Sequence, residues 1–179
     1  KDTCHAFKKA AEIKPDYIDA WYNLACVLKK THHATASIDT FRKVLELNPN
    51  HVNTLYEFPS LLFAYGYLEE AWELMDRLYK ITGDASAAIS RDSLMPVILP
   101  QPGEILEIRR KYGEAMDQYA KSDLRIEEPQ RHIKRTSFRL AFHGLNDCEL
   151  MRKQAAMYEH VSPHLLYTAP HCADPNYYA

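Results

Sequence analysis

Histidine and cysteine are the residue types in this chain that could hold a metal ion, and the sequence contains nine of the first and four of the second. A zinc site needs such ligands at characteristic spacings, for example HExxH on one helix face or paired CxxC motifs. Neither motif occurs, and no carboxylate–histidine pair has the spacing of a ligand pair. His32 and His33 fall in a turn between two predicted helices, where exposure to solvent is expected. The sequence therefore favours structural or solvated histidines and predicts no metal site.

Nucleotide binding and nucleophilic catalysis have equally little support in the sequence. The chain has no P-loop, no GxGxxG and no GxSxG motif, and its five glycines make a phosphate-cradling loop hard to place. The basic cluster between Arg131 and Arg135 could meet an anion, although a solvated loop explains it more simply. We therefore predict neither catalytic nor cofactor-binding residues in this chain.

The overall composition is that of a soluble globular protein. With 179 residues, a net charge of −2 and 46% hydrophobic residues, the chain fits one or two domains. No apolar run approaches the roughly 18–20 residues that cross a bilayer, and the N-terminus lacks the pattern of a signal peptide. Four widely spaced cysteines favour a reduced setting. We therefore expect a cytoplasmic protein without nucleic-acid or membrane partners.

The strongest pattern in the sequence is a repeat with a period of 34 residues. Apolar residues recur at this step in three series, which are Phe7, Phe41 and Met75; Ala10, Val44 and Leu78; and Ile13, Leu47 and Ile81. Pro15 and Pro49 recur as helix breakers, and Trp21 matches Leu55, so we expect both Trp21 and Phe41 in the core. This period and residue pattern is typical of tetratricopeptide repeats, in which each unit is a pair of antiparallel helices that stacks on its neighbours.

Hydrophobic spacing predicts an all-α superhelix of such repeats over residues 1–83, amounting to about two and a half units. The expected helices cover 3–13, 18–31, 35–47, 52–65 and 68–81. Pro59 lies inside the fourth helix, where we expect a bend or a restart, because a mid-helix proline loses one hydrogen bond and costs about 3 kcal/mol. A Pro-rich boundary over 84–103, with a short helix at 85–90, ends the repeats.

Residues 104–179 are expected to form a smaller, mostly helical junction domain. A long helix should cover 104–122, and the alternation of Phe138, Leu140 and Phe142 predicts a short strand. Asn146 and Glu149 resemble a capping box that opens a last helix. The predicted inner face of that helix consists of Cys148, Met151, Ala155 and Tyr158.

The groove of a repeat stack is the best candidate for function. On the first complete unit, the residues that point away from the packed stripe are Asp19, Tyr22, Asn23 and Lys29; one unit later they are Asn53, Tyr56 and Glu57. An amide such as Asn23 can hold a peptide backbone through its donor and its acceptor. The alternative is that Asn23 is an ordinary exposed helix residue, and Glu57 replaces it one repeat on. The predicted partner is a protein or a peptide, and the oligomeric state is left open.

Two sets of residues resemble known families. Residues 20–25 (AWYNLA) and 41–49 (FRKVLELNP) resemble tetratricopeptide repeats. Residues 138–147 (FRLAFHGLND), followed by Glu149, Leu150 and Tyr158 and then by residues 166–172 (LYTAPHC), resemble a segment of bacterial proteins similar to O-linked N-acetylglucosamine transferase and its Spindly relatives. In that family the segment lies between the repeats and the catalytic lobes.

The second resemblance implies a parent protein that transfers a sugar from a nucleotide donor to Ser or Thr hydroxyls, with repeats that present the protein substrate. By resemblance that role falls on Tyr22, Asn23, Tyr56 and Glu57. The lobes that hold the nucleotide sugar would follow Cys172, so no catalytic or nucleotide-binding residue is carried onto this chain, which we expect to be inert as an enzyme.

Two functional hypotheses therefore stand at this point. The chain is the substrate-recruiting repeat region of a protein O-glycosyltransferase, or it is a non-enzymatic adaptor that scaffolds protein complexes. A weaker third hypothesis is a metal- or anion-binding domain that uses the histidines and the cluster at 131–135. Both ends of the sequence look cut, and the reading frame beyond Ala179 would separate the first two.

Overall fold

The structure, a computed structural model, describes residues 2–95, 103–127, 129, 133 and 137–167. It divides into two compact units, Lys1–Arg91 and Asp92–Ala179. The α-helices of the described residues are α1 (Asp2–Ile13), α2 (Ile18–Lys30), α3 (Ala34–Leu47), α4 (Val52–Ala64), α5 (Leu68–Thr82), α6 (Ala85–Asp92), α7 (Glu104–Tyr119) and α8 (Cys148–Val161). Two 3₁₀ helices cover Ser137–His143 and Pro163–Leu166. The all-α fold class is confirmed.

The first unit is a stack of helix pairs, in which α2 packs on α3 and α4 packs on α5. Its core contains Phe41, Leu55 and Phe58, none of which is exposed to solvent. The rings of Phe41 and Phe58 stack with their centroids 5.1 Å apart, so the contact joins α3 to the next pair. Of the residues that recur at 34-residue spacing, Phe41, Met75, Val44 and Leu78 lie in the core, whereas Ile13 and Ile81 are exposed.

Small residues allow the paired helices to approach closely. Ala25 on α2 and Ser37 on α3 are both fully buried. The hydroxyl of Ser37 donates a 2.8 Å hydrogen bond to the carbonyl of Ala25, which satisfies a polar group that would otherwise cost free energy in the core. At the equivalent place one repeat later, Ala71 is also fully buried and carries no polar group.

The prediction that Trp21 lies in the core is wrong. Its ring is only half-buried, and its indole Nε1 donates to the carbonyl of Pro15 at 2.9 Å. α1 and α3 both pack against α2, yet they leave this ring partly accessible to solvent. Leu55, the residue that matches Trp21 one repeat on, is fully buried between its neighbours.

The alternative that the fourth helix restarts near Pro59 is also wrong, because α4 runs without interruption from Val52 to Ala64. Pro59 has no N–H to donate to the carbonyl of Leu55, so one backbone bond is lost. Burial of Phe58 and Leu62, both fully inaccessible to solvent, offsets that loss by packing this helix into the core. A bend at Pro59 remains a prediction.

The second unit is centred on the packing of α7 against α8. Tyr112, Met116 and Tyr119 on α7 are buried. Gly113 permits the close approach of the two helices, since a Cβ at this position would lie 3.0 Å from Leu150 Cδ2.

The predicted inner face of the last helix is wrong, because Cys148, Met151 and Ala155 are exposed. The helix carries two apolar stripes, and the one that packs consists of Leu150, Met157 and Val161. Tyr158, the fourth predicted inner residue, is half-buried. Hydrophobic spacing alone cannot say which of two stripes faces the neighbouring helix.

The strand predicted around Leu140 is a 3₁₀ helix instead, covering Ser137–His143. A strand leaves backbone groups that need a partner strand, and the described residues contain none, whereas a 3₁₀ helix satisfies those groups locally. Asn146 Oδ1 accepts from the amide of Cys148 at 2.9 Å, but the N-cap residue is Asp147, whose side chain makes no capping hydrogen bond, so the predicted capping box does not form. Glu149 instead lies 3.7 Å from Lys153 Nζ. Residues 96–102 of the Pro-rich boundary and most of the 131–135 cluster lie outside the described residues.

Candidate functional site

The candidate site is one face of the first unit, formed by the first helices of two consecutive repeats. We call it the α2/α4 face, and it consists of Asp19, Tyr22, Asn23, Cys26 and Lys29 on α2, with Asn53, Tyr56, Glu57 and Ser60 on α4. Apart from the neighbours Tyr22–Asn23 and Tyr56–Glu57, these residues are separated by three or four positions, so each helix presents them as one stripe.

Lys29 on α2 forms hydrogen bonds with the stripe on α4. Its Nζ donates to a carboxylate oxygen of Glu57 at 2.9 Å, to the Ser60 hydroxyl at 3.1 Å and to the Glu57 carbonyl at 3.2 Å. An ammonium group has three protons to donate, so Lys29 is fully used inside the protein. Lys29 and Glu57 therefore lie in contact, and a ligand that binds either of them would compete with this contact.

The ring of Tyr22 on the same face packs against aromatic side chains of the following helix and turn. Its ring lies 5.2 Å from the ring of His51 in an edge-on contact, and 6.2 Å from the ring of Phe41. Burial, together with the hydrogen-bonded thiol of Cys26, raises the pKa of Tyr22 to about 12. Burial also raises the pKa of Cys26. Both groups are therefore protonated at neutral pH, and Tyr22 can act as a hydrogen-bond donor.

Tyr56 on the same face is anchored by a long-range hydrogen bond. Its hydroxyl donates to the carboxylate of Asp84, which stands 28 residues further along the chain. Burial, followed by this hydrogen bond, raises the pKa of Tyr56 to about 12. Its ring remains partly exposed at the surface of the face.

Three polar side chains of the α2/α4 face keep their hydrogen-bonding capacity. Within the described part of the chain, Asp19, Asn23 and Asn53 have no hydrogen-bond or ion-pair partner. Lys29 contacts residues 28 and 31 positions further on, which fixes the relative register of α2 and α4. By the 34-residue period, Asn53 on α4 is the equivalent of Asp19 on α2, and Glu57 is the equivalent of Asn23, so Asn23 and Asn53 belong to neighbouring stripes of the same face.

Sequence analysis missed four residues of this site, which are Cys26, His51, Ser60 and Asp84. Cys26 stands one helical turn after Tyr22, and Ser60 stands one turn after Tyr56, so the helical period could have found both. Asp84 could have been found from the 28-residue separation that Lys29 and Glu57 also show. The 34-residue period ends before Asp84, so the repeat pattern gave no reason to include this residue.

Other kinds of site have less support. Among the residues that the structure describes, no three His, Cys, Asp or Glu side chains come close enough to share a metal ion. In the same residues, no helix has the length and apolar character to span a bilayer. An open groove of about 740 Å³ lies in the second unit, between the 3₁₀ helix Ser137–His143 and α8, and its lining is largely apolar.

The comparisons with known proteins support the repeat fold. A family model described as a tetratricopeptide repeat matches residues 18–51, the unit that contains α2 and α3. A solved structure titled "MamA RS-1 ArsTM double mutant" is 18% identical, covers 86% of this chain and 84% of its own, and superposes with a TM-score of 0.53. At this identity the likeness is one of fold. No curated protein matches the chain.

Residues 18–51 therefore match a tetratricopeptide repeat, the first unit has the all-α stacked fold of such repeats, and such repeats indicate protein–protein interaction. Stacked repeats of this kind build extended surfaces from equivalent helices, and the α2/α4 face is such a surface.

Proposed function

We propose that the chain binds a protein partner, and that it does so by holding an extended peptide segment on the α2/α4 face. The observation that carries this proposal is that two amides on neighbouring helices of this face, Asn23 on α2 and Asn53 on α4, are without partners among the described residues. Each amide offers a donor and an acceptor, which is the set that a peptide backbone needs.

The surroundings of the two amides suit such a role. The Lys29–Glu57 ion pair and the Tyr56–Asp84 hydrogen bond hold α2, α4 and the start of α6 in place before a ligand arrives. Preorganisation of this kind raises affinity because less conformational freedom is lost on binding. The rings of Tyr22 and Tyr56 add rigid, partly apolar surface next to the amides, a property common at interfaces.

A peptide-display selection against the intact chain tests the proposal. We expect selected peptides to bind in an extended form, and the double substitution Asn23→Ala with Asn53→Ala to weaken binding about tenfold, which corresponds to about 1.4 kcal/mol. Thr35→Ala, an exposed polar-to-alanine change on α3, is the matched control. Equal binding by the double variant and the control, with unchanged helicity, would remove the α2/α4 face as the binding site.

The resemblance of residues 138–147 and 166–172 supports a finer second candidate, in which the bound protein is the substrate of an O-glycosyltransferase. Under this hypothesis the nucleotide sugar binds elsewhere in the parent protein, and this chain alone turns over no donor. The selected peptides should then be rich in Ser and Thr. A reading frame that continues beyond Ala179 with an alternating β/α pattern would favour the transferase, whereas a stop codon would favour the adaptor.

A further inference from the structure

The outer face of α8 is uncovered in the second unit. Cys148, Arg152, Ala155 and Glu159 are all exposed, and their spacing of four, three and four residues places them along one line of the helix. Leu150, Met157 and Val161 are buried on the opposite side. The outer face therefore has a charged residue on either side of a centre made of Ala155 and its neighbour Ala156.

Exposed aromatic side chains lie beside this face. Phe138 is 68% exposed and Phe142 is 77% exposed, and their rings meet edge-to-face with centroids 5.4 Å apart. Phe138 lines the open groove of the second unit together with Met151 and Ala155 of α8. A contiguous patch of exposed apolar side chains often marks an interaction site.

The charges on the outer face are arranged symmetrically. Arg152 and Glu159 stand at equal distances along the chain from the midpoint between Ala155 and Ala156. Neither has an ion-pair or hydrogen-bond partner in the described residues. If two copies of α8 cross antiparallel about that midpoint, Arg152 of each copy faces Glu159 of the other.

We propose that α8 is a dimer interface that binds a second copy of this chain through a two-fold, antiparallel helix contact. A two-fold interface uses the same patch on both copies, so the patch must be complementary to itself. Opposite charges at equal distances from a centre of two alanines meet that requirement, and small central residues let the helices approach closely. Binding of a different protein would not require this symmetry. If the face served such a partner instead, the chain on its own would sediment as a monomer in the test below.

Sedimentation equilibrium of the intact chain over a range of concentrations tests the proposal. We expect a monomer–dimer equilibrium, weakened about tenfold by Arg152→Glu and likewise by Glu159→Arg, because each change opposes like charges at two places in the dimer. The double variant Arg152→Glu with Glu159→Arg should restore association close to that of the parent, because the pairs are re-formed with their signs exchanged.

Two controls separate loss of the interface from loss of the fold. Lys121→Glu reverses an exposed charge of the same unit outside α8 and should leave the dimer intact. Thermal melting followed by circular dichroism should be unchanged in all variants. A monomer at every concentration would overturn the proposal. So would a dimer insensitive to Arg152→Glu, or a charge-exchanged double variant that fails to associate while remaining folded.

Discussion

Lys29 Nζ on α2 and the carboxylate of Glu57 on α4 lie 2.9 Å apart and are separated by 28 residues. Arg42 on α3 and Glu70 on α5 show the same separation in sequence, with Arg42 Nη2 2.7 Å from the Glu70 carboxylate. The first pair joins the first helices of two consecutive repeats, and the second pair joins their second helices. Ion pairs therefore fix the register of neighbouring repeats in both layers of the stack.

Loss of Lys29 should uncouple these repeats. We expect Lys29→Met to lower the free energy of unfolding by about 1–2 kcal/mol, since it removes three partly buried hydrogen bonds from a charged group. Urea denaturation measures this change. Lys43→Met is the matched control, because the one ion-pair partner of Lys43 among the described residues is Glu46 on the same exposed helix surface. Equal effects of the two changes would show that Lys29 contributes no coupling between repeats.

The turns within the two complete repeats predict opposite effects for two substitutions. His32 has φ 61°, and Gly66, its equivalent one repeat later, has φ 86°. Because this left-handed conformation is costly for a residue with a Cβ, Gly66→Ala should destabilise the protein by about 1 kcal/mol, although a Cβ there would meet no atom within 4 Å. His32→Gly should instead stabilise it by about 0.5–1 kcal/mol.

Thermal and urea melts of both variants test that prediction. His33→Gly serves as the control for the loss of a side chain in the same turn, since His33 has a negative φ of −90°. Stabilisation by His33→Gly equal to that by His32→Gly would mean that backbone strain at His32 is not the cause.

The sequence predicted the burial of residues that have the same packing neighbours in each repeat. Phe41, Val44 and Leu78 are buried because each lies between successive helices of the stack, and the 34-residue period records this. Trp21 follows the same period but is only half-buried, so the period alone does not decide the burial of each residue. The α2/α4 face was predictable in part, because its helical stripes follow from spacing. The contact of Tyr56 with Asp84 depends on tertiary structure past the last repeat.

The contrast between Phe41 and Trp21 gives a third prediction. Phe41 is fully buried and stacks on Phe58, so Phe41→Ala should cost about 3–5 kcal/mol. Trp21 is half-buried and has one hydrogen bond to Pro15, so Trp21→Ala should cost about 2 kcal/mol. Chemical denaturation of both variants decides the order. A larger loss from Trp21→Ala would mean that α1 covers Trp21 more fully in solution.

The stability of the protein should fall in alkaline solution. Burial raises the pKa of Tyr22, Tyr56 and Tyr112 to about 12 in the folded protein, whereas a tyrosine in an unfolded chain titrates near 10. Between pH 10 and about 12 the folded state therefore keeps protons that the unfolded state has released. A state that binds more protons loses relative stability as the pH rises, so the free energy of unfolding should decrease across this window.

Urea denaturation at a series of pH values measures this decrease, and the near-ultraviolet absorbance of tyrosinate follows ionisation in the folded protein. Below pH 10 these three groups should contribute no slope. Tyr112→Phe removes the buried hydroxyl of the second unit and should make the decline in the free energy of unfolding shallower. Tyr65→Phe removes the hydroxyl of an exposed tyrosine and is the control. A free energy of unfolding that stays constant from pH 10 to 12 would mean that all three hydroxyls titrate in the folded protein as they do in the unfolded chain, which is incompatible with their burial.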